Sequence, residues 1–340
     1  MLTTTGTYDE ALQRFHRTGP EFDGWLSNHG PMVVEALARR DRDSTIHRWT
    51  DGYVQRLDEL PLSRWPIDPA LWQEALGDAR RIGDWIELLQ HEVDDGAWAQ
   101  VLERWWPRLL PGIAAGATHG AIRVGHAVRA LQEAESTPRV TELAHALGYW
   151  AARWQRVPTV RPRGVLPAAA LVDTVPRVAH QEQGARERLA QLETTPGWAE
   201  HAASLAGPVT SAQVPGALDS LVDAVVAMYP RYAHGNPTML VHAATAPNAV
   251  AMTLPSLPEP LWRSSFDAAW SASAAVVAAY RPAARREVAT AASADDVWAG
   301  ALEHAGEHVI KLTDTALASH ARTGDTVALA AAATAVALDA

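Results

Sequence analysis

Two kinds of residue in this chain have the chemistry to do more than fold: fourteen histidines and a single lysine. His29 stands in Ser27-Asn28-His29-Gly30-Pro31-Met32, where a loop turns into a helix. His119 and His126 share the run Thr118-His119-Gly120-Ala121-Ile122-Arg123-Val124-Gly125-His126, and His242 sits in Leu240-Val241-His242-Ala243-Ala244-Thr245. His304, His308 and Lys311 form His304-Ala305-Gly306-Glu307-His308-Val309-Ile310-Lys311, which on one helix places positions 304, 308 and 311 on a single stripe continued by Thr315. A lone histidine on an apolar face is ordinarily a hydrogen-bonded core residue, but several in small, apolar surroundings favour a metal, because neutral imidazole is the commonest metal ligand. His16, His47, His91, His180, His201 and His320 have charged or polar neighbours and read as solvated surface residues.

The lysine is informative because it is alone. Of 29 basic residues, 28 are arginine and one is Lys311. Either side chain serves as a solvated cation, but only lysine is readily pushed to the neutral amine, which can act as a nucleophile, form a Schiff base or take up carbon dioxide as a carbamate. Lys311 lies in the apolar run Val309-Ile310-Lys311-Leu312, which favours such a role over a salt bridge to Glu307 or Asp314.

Composition narrows the alternatives. With no cysteine there is no disulfide, thiolate metal site or cysteine nucleophile, so a metal must be held by nitrogen and oxygen. A net charge of −10 and dispersed arginines argue against nucleic acid. The N-terminal MLTTTGTYDE is no signal segment, and the apolar run from Val327 to Leu338 falls short of the roughly 20 residues of a membrane span. A cytoplasmic chain with a small-molecule partner and no membrane is expected; nothing in the sequence indicates an oligomeric state.

The elements that must carry these residues read as all-α: a compact multi-helix domain with short connections, single over residues 1–340. Apolar residues at three- and four-residue steps predict helices at Tyr8 to Arg17, Pro31 to Arg42, Ile46 to Leu57, Asp68 to Gly83, Ile82 to Gln90, Ala97 to Trp106, Ala121 to Gln132 and Val140 to Arg156. Further helices are expected at Val172 to Leu192, Thr195 to Ala206, Val214 to Met228, Asn236 to Ala246, Glu259 to Tyr280, Asp295 to Ala318 and Thr326 to Leu338. Prolines 61, 66, 107, 111, 158, 162 and 167 are expected between helices, with elbows at Val157 to Ala168, Gly207 to Ala217 and Ala246 to Glu259. Most of the 14 tryptophans should pack the core, although Trp105, Trp106, Trp150 and Trp154 lie close in sequence to the histidine motifs.

Taken together, Asn28-His29-Gly30, the run from His119 to His126, Ala146-Leu147-Gly148-Tyr149-Trp150, Val241-His242-Ala243-Ala244-Thr245 and Glu307-His308-Val309-Ile310-Lys311 resemble the questin oxidase-like family over nearly the whole chain. The resemblance implies a non-haem iron held by His29, His119, His242, His308 and a carboxylated Lys311, with carbon dioxide consumed in the lysine modification. It further implies dioxygen as co-substrate and oxidative cleavage of an anthraquinone-like polyketide ring. Arg123 and His126 are placed beside the substrate, where they would stabilise a developing anion, with His304 as a further pocket residue. Other readings are an NADPH-linked Baeyer–Villiger-type oxidase, a metal-dependent hydrolase using the carbamate to activate water, and a helical scaffold. No Gly-x-Gly-x-x-Gly follows a strand, which argues against direct dinucleotide binding.

Overall fold

The computed structural model describes residues 4–40, 43–288 and 293–338; the expected helix end at Arg42 and the first three residues lie outside them. The chain, read from sequence as one domain, divides into two compact units, Met1–Gln155 with Pro255–Pro258, and Arg156–Leu254 with Glu259–Ala340. Both are helical. The described strands are two two-residue segments, β1 (Glu21–Phe22) and β2 (Leu26–Ser27), paired antiparallel.

The first unit contains α1 (Thr4–Phe15), α2 (Gly30–Ala38), α3 (Asp43–Val54), α4 (Ile82–Asp95), α5 (Trp98–Leu109), α6 (His119–Glu133) and α7 (Thr137–Ala152). Helix α7 packs against both α4 and α6, and α2 packs against α1, α3 and α6. The core is indole-rich, with Trp85, Trp105, Trp106 and Trp150 fully buried. Three of these indoles donate N–H bonds inside the core: Trp85 to the Ala75 carbonyl at 3.0 Å, Trp105 to Glu92 at 2.7 Å, and Trp150 to the Gly112 carbonyl at 3.0 Å. Trp154 likewise donates to the Leu109 carbonyl.

The second unit contains α8 (Ala168–Leu171), α9 (Ala185–Ala190), α10 (Trp198–Ala203), α11 (Val214–Tyr232), α12 (Pro237–Thr253), α13 (Trp262–Tyr280), α14 (Ala294–His304), α15 (Glu307–Thr323) and α16 (Val327–Leu338). Every residue of α13 from Ser265 to Tyr280 is buried, and most are alanine, serine or valine. Small side chains let neighbouring helices approach on all sides, and the Ser273 hydroxyl ties α13 to the Ala243 carbonyl of α12 at 2.8 Å. No helix among the described residues is long and apolar enough to cross a membrane.

Several expected helices are corrected. The stretch from Asp68 to Gly83 forms two short 3₁₀ turns, Trp72–Ala75 and Ala79–Arg81, because Asp68 and Asp78 accept from the backbone two residues on and Gly77 stands at φ +77°. Val172 to Leu192 is an extended loop followed by α9; Pro176 forbids continuation, and the Val178 N–H pairs with the Ala278 carbonyl. Pro107 lies inside α5 and Pro247 inside α12, which runs through the expected elbow as far as Thr253. Burial of the flanking turns outweighs one lost backbone hydrogen bond.

Candidate metal centre

The first unit brings His29 and His119 together. Their Nε2 atoms are 2.7 Å apart, and the rings meet edge to face. Each is presented by the start of a helix, by different local devices. His29 caps α2, and Asn28 holds the turn by accepting from the Gly30 N–H at 2.8 Å and donating to the Gly19 carbonyl. Tyr53 on α3 accepts the His29 backbone N–H at 2.9 Å, and the same hydroxyl lies 3.2 Å from Nδ1. His119 follows three consecutive residues at positive φ, Gly116 (54°), Ala117 (55°) and Thr118 (71°). A left-handed turn of this kind is costly for the two non-glycine residues and is found where the fold must aim a functional group. The turn brings the Gly116 carbonyl to 2.5 Å from His119 Nδ1. A carbonyl only accepts, so Nδ1 carries the proton and Nε2 offers its lone pair toward His29.

Close packing beneath both histidines depends on the glycines after them. A Cβ on Gly30 would collide with the Phe15 ring, and one on Gly120 would fall 2.6 Å from Trp150 Cβ. These contacts give a physical reason for glycine in Asn28-His29-Gly30 and in His119-Gly120.

The second unit brings together His242, His308 and Lys311. His242 on α12 and His308 on α15 have ring centroids 5.1 Å apart at 71°. His242 is fully buried, with Nδ1 donating to the Met239 carbonyl at 3.1 Å, so its Nε2 also presents a lone pair. Its imidazole is held down to about 3, first by burial and then by the charge of Lys311. Lys311 is buried at 1% exposure, one helical turn beyond His308.

His304 does not share their stripe. Helix α14 ends at His304, Ala305 turns left-handed at φ +60°, and a new helix begins at Glu307, so the expected single helix is two. His304 Nδ1 instead accepts the Gly306 N–H at 3.1 Å.

Arg123 and His126, expected beside the substrate, each have a buried carboxylate partner. Arg123 grips Glu142 on α7 with two parallel hydrogen bonds of 2.6 and 2.9 Å, and His16 meets the same carboxylate at 3.1 Å. His126 Nδ1 lies 2.6 Å from Glu35 on α2, to which Arg129 also donates. Burial alone would raise both carboxyls; Arg123 with His16, and Arg129 with His126, hold Glu142 and Glu35 at about 2. His16 is therefore no solvated surface residue. It packs against His145, which burial, His16 and Arg123 lower to about 3.

Sequence reading missed Tyr53 and the left-handed turn from Gly116 to Thr118, and saw Ser27 and Tyr149 only as parts of motifs. The signal that points to them is the glycine and polar spacing just before each histidine. No family model matches the chain, and no curated protein matches it.

Proposed function

We propose that this chain is a non-haem iron oxygenase of the questin oxidase-like kind, opening one ring of a flat polycyclic aromatic, anthraquinone-like polyketide with dioxygen. The observation that carries the reading is the 2.7 Å approach of the His29 and His119 Nε2 atoms, with His119 Nδ1 tied to a carbonyl and His29 Nδ1 beside a hydroxyl. Two imidazoles at right angles about 2.1 Å from one ion have their nitrogens about 3 Å apart, so the pair fits a shared metal. An outer hydrogen bond that fixes the tautomer is the usual companion of such a ligand. His242 repeats the pattern through Met239.

In this reading His29, His119, His242, His308 and a carbamate on Lys311 are the ligands. The Lys311 ammonium gives up one proton to become the neutral amine and a second on adding carbon dioxide, which turns a cation into an anionic oxygen donor without an aspartate or glutamate. Iron in such a set supplies Lewis-acid and electron-transfer chemistry to dioxygen and a phenolic substrate. The chain's own residues hold the protons. Gly116 and Met239 fix Nδ1–H on their histidines, and the Arg123–Glu142 and His126–Glu35 pairs anchor α6 to α7 and α2 so that His119 keeps its aim.

Metal analysis of the purified chain should find about one iron per chain. Zinc would favour a carbamate-assisted hydrolase, and no metal a scaffold. Lys311→Arg keeps the charge and cannot form a carbamate; it should lose both iron and substrate-dependent oxygen uptake with anthraquinones. Omitting NADPH from that assay shows whether a reductant is required. Retention of iron and activity in Lys311→Arg would overturn the role of Lys311.

A further inference from the structure

In the second unit, three chain segments converge with an unusual charge. The loop after α8 brings Asp173 and Arg177, the last turn of α11 brings Arg231 and Tyr232 with His234 just beyond, and Arg281 at the end of α13 is followed by an irregular segment that carries Arg286. The segments are pinned to one another. Arg231 Nη1 pairs with Asp173 Oδ2 at 2.7 Å, the Arg286 N–H donates to the Arg231 carbonyl at 2.8 Å, and Arg281 donates from Nη2 to the Val175 carbonyl at 2.8 Å. The Arg281 guanidinium also lies 5.4 Å from the Tyr232 ring centroid, and both Arg177 and Asp173 are near enough to act on its charge. Arg286 acts in the same way on His234.

Two ordinary uses for these arginines fall short. The carbonyl ends of α11 and α13 each carry about half a negative charge, and Asp173 adds one more, so together they offset roughly two of the four guanidinium charges. In a chain of net charge −10, that leaves a local excess of about two positive charges at one spot. Hydrogen bonding is incomplete as well. Arg281 is 8% exposed, yet its Nε, like Arg231 Nε, is buried with no hydrogen-bond partner among the described residues, and so is the acceptor Asp173 Oδ1. An unmet buried N–H of this type is costly. Two orphan donors and one orphan acceptor within a cationic cluster ask for a ligand that accepts from arginine and donates one proton to a carboxylate.

We propose that Arg177, Arg231, Arg281 and Arg286, with Asp173, form a binding site for the inorganic hydrogen phosphate ion. Guanidinium forks match phosphate oxygens, and the remaining P–OH donates to Asp173 Oδ1. The site uses none of the residues assigned to the metal and stands whether or not iron binds.

Titrating the full chain with inorganic phosphate at constant ionic strength tests this. Phosphate 100-fold above its dissociation constant should raise Tm by about 5 °C. Sulfate, which has no proton to offer at neutral pH, should bind at least ten-fold more weakly, and Asp173→Asn should erase that preference. The exposed pair Arg177→Ala/Arg286→Ala should fold normally and weaken phosphate at least ten-fold, which keeps the test open if Arg281→Gln fails to fold. Phenyl phosphate, largely a dianion without a P–OH at neutral pH, should like sulfate bind more weakly than inorganic phosphate, and tighter binding would overturn the role of Asp173. An equal Tm rise with sodium chloride, equal affinity for sulfate, or unchanged phosphate affinity in the exposed double variant would overturn the proposal.

Discussion

The Tyr149 hydroxyl lies 2.5 Å from Ser27 Oγ, and a Cβ on Gly116 would stand 2.9 Å from the same oxygen. Ser27 leads into Asn28-His29, and Gly116 opens the left-handed turn that ends in His119. One buried phenol on α7 therefore braces the approaches to both histidines, and its proton is held more firmly than in water because burial and nearby Glu21 oppose ionisation. Tyr149→Phe keeps the packing and removes the brace. It should cost about 1 kcal/mol of stability and leave Ser27 to water or unpaired. Thermal unfolding reads the loss, and bound metal per chain, lower than in the parent, reads the histidine geometry.

Tyr53 does the equivalent service for His29 from α3. Tyr53→Phe leaves both the His29 backbone N–H and Nδ1 without this hydroxyl. The expected result is a metal affinity reduced about 10- to 100-fold with a folded chain, measured by competition with a chelator. Unchanged affinity would show that His29 is not a ligand.

Gly120→Ala tests the close approach of α6 to α7. The new Cβ meets the Cβ of a fully buried tryptophan, not the flexible end of a side chain, so the helices must part. A loss of about 1–3 kcal/mol is expected. Gly216→Ala is the control, since nothing lies within 4 Å of the added atom there.

Arg123 and Glu142 should be strongly coupled. Arg123→Met leaves a fully buried carboxylate without its guanidinium partner, though still beside His16, and should cost about 3–5 kcal/mol, whereas adding Glu142→Leu should restore most of it. Denaturant unfolding of the two single variants and the double closes the cycle. Additive losses would mean that the pair contributes no specific interaction.

Stability should fall with acid in two stages. His145 has a folded value of about 3 against an ordinary 6.5, so the unfolded chain takes up its proton first; this contribution is complete above pH 6.5 and drains away as the pH drops toward 3. Glu35 and Glu142, held at about 2 against 4.5, add a second loss that starts near pH 4.5 and continues to about 2. In His145→Gln, the loss of unfolding free energy between pH 7 and 5 should shrink by about half, because buried His242, also held at about 3, contributes in the same sense, while the loss below pH 4.5 persists.

The amino-acid sequence determined the helical class, because apolar spacing is a local property that survives any packing. Small-residue company marked His29, His119, His126, His242, His304 and His308, and the rarity of lysine marked Lys311, while the choice of His29, His119, His242 and His308 as ligands came only from the resemblance to the questin oxidase-like family. What the sequence left undecided depended on partners far along the chain. Whether residues 304 to 311 form one helix or two was decided at Ala305, whose left-handed turn no periodicity marks. Pro247 looked like an elbow and became part of α12, because tertiary burial outweighs one missing N–H. That Arg123 and His126 each meet a buried carboxylate, Glu142 on α7 and Glu35 on α2, is visible only in three dimensions. Charge pairing, tautomers and the bracing by Tyr53 and Tyr149 act over a few ångströms of space, and only the tertiary structure sets those distances.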